Sequence, residues 1–166
     1  MTVELSKESL NNAIKFLNKF QEEYEKSVTK AIYHATEMMY EKVKEYCYEK
    51  GIQNHTDNIF MEFDYNTRTG KVFTNDAVII FNEMGTGITG SNNPHPKPSE
   101  KFKSWKYDVN EHGEKGWVYP KDDGTYGWTK GLPSRHMFFD ALQDMKKEIG
   151  DIVSVEIDKT VGDLYW

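Results

Sequence analysis

Cysteine is nearly absent from this chain. Cys47 stands alone among 166 residues, so no intramolecular disulfide framework exists, and a thiolate metal site would need its other ligands from His or carboxylates. Such a chain is expected to be made in a reducing cytoplasm. Long apolar runs are missing as well. No stretch approaches the length of a membrane-spanning helix, and Met1-Thr2-Val3-Glu4-Leu5-Ser6-Lys7 lacks the basic start and apolar core of a signal peptide. The Asn54-His55-Thr56 triplet matches a glycosylation acceptor, which without secretion has no consequence. The expectation is a soluble protein with no membrane partner. Basic charge is in short supply: 21 Lys and Arg face 27 Asp and Glu, for a net charge of -6. That balance argues against tight non-specific duplex binding, which depends on neutralising phosphates. It suits a surface that DNA slides past, and it also suits simple solubility. Hydrophobic residues make up only 37%, and the mean hydropathy of -0.77 is low for a self-contained enzyme. A partner surface or a long solvated helix accounts for such a figure.

What is present begins with helical periodicity. Leu10, Ile14, Leu17, Phe20, Tyr24, Val28, Ile32, Ala35, Met38 or Met39, and Val43 recur at steps of three and four. Neither Pro nor Gly interrupts residues 6–50, with Ser6 placed as N-cap and Gly51 as terminator. Whether this helix is continuous or kinks near residues 21–27 is left open. Ile59, Met61, Phe63 and Tyr65 then alternate as a strand. Asn66-Thr67-Arg68-Thr69-Gly70 reads as a hairpin turn ending in a glycine, with a return strand over residues 71–74. The continuous apolar run Ala77-Val78-Ile79-Ile80-Phe81 reads as a central strand buried on both faces. Residues 88–104, with Pro94, Pro96 and Pro98, read as irregular loop. Lys121-Asp122-Asp123-Gly124 reads as a turn between two short aromatic strands. A last helix opens after Pro133-Ser134, with Ser134 as its N-cap and Phe138, Leu142, Met145, Ile149, Ile152 and Val153 on one stripe. The sum is a single α+β domain over residues 1–166. It has a long N-terminal helix, a mainly antiparallel sheet, an inserted loop and aromatic hairpin at residues 88–128, and a C-terminal helix.

Residues with chemical potential do not assemble into a catalytic site. Gly85-Thr86-Gly87-Ile88-Thr89-Gly90 matches the dinucleotide fingerprint G-x-G-x-x-G, which works only where a helix begins at its end. Here Asn92-Asn93-Pro94 follows, so the glycines are read as a sharp exit from the sheet with positive φ. No cofactor is expected. Glu83 is then expected to accept backbone amides or to pair with a base such as Arg135. His34, His55, His95, His112 and His136 show no ligand spacing, and Cys47 reads as a small buried hydrophobe. Asp108, Glu111, Glu114, Asp122 and Asp123 cluster without the alternation of a calcium loop, so they are read as a solvated turn and no metal is expected. Trp105, Tyr107, Trp117, Tyr119, Tyr126 and Trp128 are more aromatics than a small hairpin needs for itself. The first five are the candidate interface residues. Stacking on single-stranded nucleic acid is the weaker reading, because no basic groove accompanies them.

Two segments carry a resemblance. Glu83-Met84-Gly85-Thr86-Gly87, and Trp128-Thr129-Lys130-Gly131-Leu132-Pro133-Ser134-Arg135 followed by Phe138-Phe139-Asp140-Ala141-Leu142, resemble elements of the tailed-phage neck and tail-completion family. Their order and spacing behind a long helix extend the likeness from that helix to about Leu142. The chain departs from the family at residues 53–59, where many relatives carry Pro-x-x-T-G-x-L. Glu83, Gly85, Gly87, Trp128, Gly131, Pro133, Arg135 and Phe138 are the motif residues that the resemblance marks as structural. It implies a non-enzymatic virion protein, made in the host cytoplasm, that joins the head connector to the tail. It also implies ring assembly around a channel through which DNA passes without sequence-specific binding. The implied partners are further copies of the chain, head-connector or head-closure proteins, and tail-terminator or tail-tube proteins. A tail-terminator capping the tail tube is the alternative within that class. A small phage nucleic-acid-binding protein or nuclease is the alternative outside it. The ring's two patches are expected on the aromatic hairpin and on one face of the first helix.

Overall fold

The computed structural model of the chain describes residues 6–107, 115–121 and 123–164. Helix α1 runs unbroken over Lys7–Glu49. Ser6 Oγ accepts the Ser9 amide at 3.0 Å as its N-cap. Gly51, at φ 75°, ends it in a left-handed turn: the Ile52 amide reaches back to the Cys47 carbonyl and the Gly51 amide to Tyr48, which satisfies the last free carbonyls. Strands β1 (Ile59–Asp64) and β2 (Thr69–Thr74) follow as an antiparallel hairpin, with Ile59 opposite Thr74 and Asp64 opposite Thr69. Ile59, Met61 and Phe63 point inward, as their alternation requires. The turn differs from expectation. Asp64 Oδ1 takes the Asn66 and Thr67 amides, and Arg68 carries the positive φ of 53°. Gly70 lies within β2, where a Cβ would sit 1.8 Å from Thr36 Oγ1, so its role is close approach to α1.

The expected central strand is a helix. Residues Ala77–Met84 form α2, and the two hairpins stay separate two-stranded sheets instead of joining into one. A five-residue apolar run does not by itself tell a buried strand from a buried helix. The deciding residue is Asp76, whose Oδ1 accepts the Val78 and Ile79 amides at 2.7 and 3.2 Å as an N-cap. A short helix α3 (Gly87–Asn92) and a 3-10 turn at Glu100–Phe102 occupy part of the expected loop. The second hairpin pairs β3 (Trp117–Pro120) with β4 (Tyr126–Thr129), and Gly124 turns it at φ 78°.

Helix α4 (Met137–Leu164) lies antiparallel along α1. Its covered stripe matches the expected one in part: Met145 is buried and Phe138, Ile152 and Val153 are half-buried, whereas Leu142 and Ile149 are exposed and Met137 and Ala141 are buried in their place. The reason is a polar seam. Tyr46 Oη donates to Asp144 at 2.5 Å, Lys42 meets Glu148 at 3.1 Å, His34 meets Glu156 at 3.5 Å, and the Ser27 and Thr160 hydroxyls bond each other. The Asp144 carboxylate, by accepting that hydrogen bond, pushes the Tyr46 phenol up to about 12. Val43, Cys47, Ile52, Ile59, Ile79, Met137 and Ala141 form the core, at the C-terminal end of α1.

Burial, with a smaller contribution from the Glu83 charge, pushes the Cys47 thiol up to about 11, so a disulfide reagent at pH 8 should modify it only after denaturant is added. Rapid titration of the native protein would remove Cys47 from the core. At the α2 cap, burial acts to raise the Asp76 carboxyl, but hydrogen bonds from His55, the Ile79 amide, Asn58 and the Val78 amide outweigh it and hold it below its ordinary value. The stabilisation is present above the unfolded pKa and is lost as pH falls through the lower folded one. Asp76→Asn should therefore flatten the loss of melting temperature below about pH 4, and an unchanged acid limb would refute that assignment.

Candidate functional site

The two motif segments meet at the N-terminus of α4, and Glu83 joins them. It sits on the last turn of α2. Its Oε2 accepts the Phe138 amide at 2.9 Å, and its Oε1 accepts the Phe139 amide at 3.1 Å. Those are among the orphan donors of a helix start, so Glu83 caps α4 from another element and places a negative charge at the positive end of its dipole. His95 completes the group, with Nε2 3.0 Å from Oε1. His95 Nδ1 accepts the Lys97 amide at 3.1 Å, so the proton lies on Nε2 and is donated to Glu83. His95 is buried, and its ring meets Phe139 edge-on with 5.5 Å between centroids.

Ser134, expected as the N-cap, instead donates its hydroxyl to the Glu83 carbonyl at 2.5 Å. Arg135 does not reach Glu83 either. Its amide bonds the Asn82 carbonyl at 2.7 Å, and its guanidinium bonds the Lys50 carbonyl at the end of α1. The last turn of α1 has no base of its own, so Arg135 supplies the cation that its dipole favours.

Next to Glu83 the segments lock backbone to backbone. The Thr86 amide bonds the Leu132 carbonyl at 2.9 Å, and the Leu132 amide returns to Thr86 at 3.1 Å. Glycines permit this approach. A Cβ on Gly131 (φ 101°) would lie 1.9 Å from the Thr86 carbonyl oxygen, and one on Gly87 (φ 59°) 2.3 Å from that of Lys130. Gly85 ends α2 at φ 81° and its carbonyl accepts the Trp105 indole N–H at 2.9 Å. The E-M-G-T-G element is thus a helix exit rather than a strand exit, and the fingerprint glycines pack against the second motif. Pro133 is exposed beside them, and the half-buried Phe138 packs against the core.

The aromatic residues divide by face. Trp105 packs on Phe81 and Phe102, with centroids 6.0 and 5.7 Å apart. Tyr107 is half-buried, and its carbonyl accepts the Gly87 amide. Trp117 and Tyr119 share one face of the second hairpin and line a cavity of about 360 Å³ with Phe81, Thr86 and Leu132. The opposite face presents Val118, Pro120, Tyr126 and Trp128. Tyr126 is 75% exposed and Trp128 59%. Of the five expected interface residues, Trp105, Tyr107 and Trp117 therefore serve the interior. Trp128, expected as structural, stands outward with Lys130 Nζ 5.8 Å from its ring centroid. The missed signal was the pairing register: once Gly124 sets the turn, Val118 and Trp128 fall on one face.

A second cavity, of about 380 Å³, opens beside Glu83 and His95 between Met39, Val72, Ile80 and Phe138. Among the described residues no three His, Cys, Asp or Glu side chains converge as metal ligands. Asp108, Glu111, His112, Glu114 and Asp122 lie outside the described residues. Glu83, His95 and Ser134 have their hydrogen bonds within the clasp, so what this arrangement does chemically is hold two elements together.

Glu83→Ala leaves two helix-start amides and His95 without their acceptor, and should cost about 2–3 kcal/mol in urea unfolding. Glu83→Gln keeps one acceptor oxygen and should cost less. Equal losses in the two variants would show that the carboxylate does not act as the cap.

No helix among the described residues is long and apolar enough to cross a membrane. Compared with known protein families, with curated proteins and with solved structures, the chain matches none.

Proposed function

We propose that the chain is a structural virion protein of the phage head–tail connector region, joining head connector to tail as a ring around the DNA channel. The observation that carries this reading is the outward face of the second hairpin. Val118, Pro120, Tyr126 and Trp128 are exposed together, and β4 leads directly into the Thr86–Leu132 clasp. Tyr and Trp anchors on a firmly seated ribbon make a contact surface. The motif residues support the same reading. Glu83, Gly85, Gly87, Gly131 and Arg135 build the clasp that holds the ribbon in place. A closed ring requires one patch to meet a different patch on the neighbour, and an exposed apolar stripe on α1, through Leu10, Ile14 and Leu17, supplies the second. The net charge of -6 keeps a channel wall from gripping DNA.

The test is molar mass by light scattering across a concentration series, with negative-stain imaging of the large species. Rings with an open centre are expected, in the free protein or on addition of connector protein. The double variant Tyr126→Ser, Trp128→Ser alters only outward side chains and should abolish them. Rings that form unchanged in that variant would exclude the hairpin face, and failure to form rings under both conditions would exclude the assembly.

A further inference from the structure

The larger cavity lies where five segments meet, and it shares no residue with the outer hairpin face. Met39 of α1, Val72 of β2, Ile80 of α2, Phe102 of the 3-10 turn, and Phe138 and Leu142 of α4 line it. Its volume of about 380 Å³ falls in the range of small-ligand clefts. Leu142 belongs to the lining and is 40% exposed, so the apolar wall continues out to the mouth.

The polar groups of the wall define what fits. Glu83 and His95 are its buried polar part, with 14% and 5% of their side chains exposed. Both are already engaged. The Glu83 oxygens take the Phe138 and Phe139 amides and the His95 Nε2–H, while His95 Nδ1 takes the Lys97 amide. The carboxylate charge is compensated, and neither ring nitrogen is left to bond a ligand. A polar group pressed against this wall would lose its water without replacement. The body that fits is hydrocarbon.

The mouth has the opposite character. Lys97, Ser99 and Lys101 line the cavity and are exposed, which places them at its opening. Residues 97–106 hold Lys97, Lys101, Lys103 and Lys106 against Glu100, a net of +3 in a chain whose net charge is -6. Glu100 is taken by Lys103 at 2.6 Å. Among the described residues no carboxylate pairs with the ammonium of Lys97 or Lys101. That of Lys101 rests over the Phe102 ring, 5.6 Å from its centroid. Pro96 and Pro98 fix φ on either side of Lys97, and the bond from its amide to His95 holds the same stretch of backbone. Two cations without counter-ions therefore flank an apolar opening on a protein that is otherwise acidic.

We propose that the cavity binds an apolar monocarboxylate of the fatty-acid class. Its hydrocarbon chain lies against Val72, Ile80 and Phe138, and its carboxylate sits between Lys97 and Lys101. Apolar burial supplies the affinity, and the two ammonium groups set the orientation. A body of the same shape with a cationic head keeps the first contribution and is repelled by the second. The site stands whether or not the chain forms rings.

The experiment is calorimetric titration of the full chain with sodium decanoate, compared with decyltrimethylammonium, both below micelle formation. Decanoate should bind saturably at one per chain, and the decyl cation about tenfold more weakly or less tightly still. Lys97→Gln with Lys101→Gln changes two exposed positions; it should weaken decanoate about tenfold and leave the urea midpoint unchanged. Leu142→Trp, which fills the mouth from another exposed position, should abolish binding of both probes. Failure of decanoate to saturate by about 1 mM, equal affinity for the two probes, or unchanged decanoate affinity in either variant would overturn the proposal. So would saturable binding of the peptide acetyl-Asp-Leu-Phe-Asp-amide where decanoate does not bind, which would assign the cavity to a protein segment. None of these outcomes bears on the ring, which light scattering reads separately.

Discussion

The Glu83 carboxylate is the interaction on which the other contacts depend. It belongs to α2, yet its oxygens are held by the first turn of α4 and by His95 from the proline-rich loop. Three segments distant in sequence are thereby fixed to one anion. A carboxylate with only 14% of its side chain exposed would be costly without partners. Here two amides, the helix dipole and a neutral imidazole donor compensate it. Because α4 then runs along α1, that carboxylate anchors the start of the helix that the longest helix packs against.

The clasp around Glu83 explains the order of residues in the two motifs. An acid must come two residues before a glycine so that it sits on the last helical turn while the chain leaves at Gly85. The next residues then run beside residues 130–132 at backbone contact, which only glycine at positions 87 and 131 allows. Arg135 follows at the distance that brings its guanidinium to the end of α1. These residues are matched to one another, and reaction chemistry need not be invoked to account for any of them.

Legibility in the sequence followed the range of the forces involved. Both ends of the first helix were readable because Ser6 and Gly51 act within one turn of themselves, whereas its continuity through residues 21–27 was not. Period two in β1 was readable for the same reason. The run at residues 77–81 was misread as a strand because five consecutive apolar residues carry no period that separates strand from helix, even though Ala77 and Val78 face outward. The local sign that would have corrected it is Asp76 before the run, an N-cap, and Gly85 after it, a helix-ending glycine. Gly70 and Ser134 were misassigned because their partners, Thr36 and the Glu83 carbonyl, are remote in sequence. The exposure of Leu142 and Ile149 on α4 has a similar origin. Asp144, Glu148 and Glu156 look like solvent-facing acids until Tyr46, Lys42 and His34 are placed opposite them.

The low apolar content takes on a particular meaning once it is located. The buried cluster gathers at the C-terminal end of α1, and the N-terminal part of that helix contributes none of its members. Apolar residues are present there and on the outer hairpin face, but they are exposed. An evenly solvated helix would have placed Asn, Lys or Glu at positions 10, 14 and 17. Leu, Ile and Leu stand there, in register with the stripe that α4 covers further along. Leu10, Ile14 and Leu17 are therefore apolar surface that the described fold does not cover, which places the chain's scarce hydrophobic content where only a neighbour could bury it.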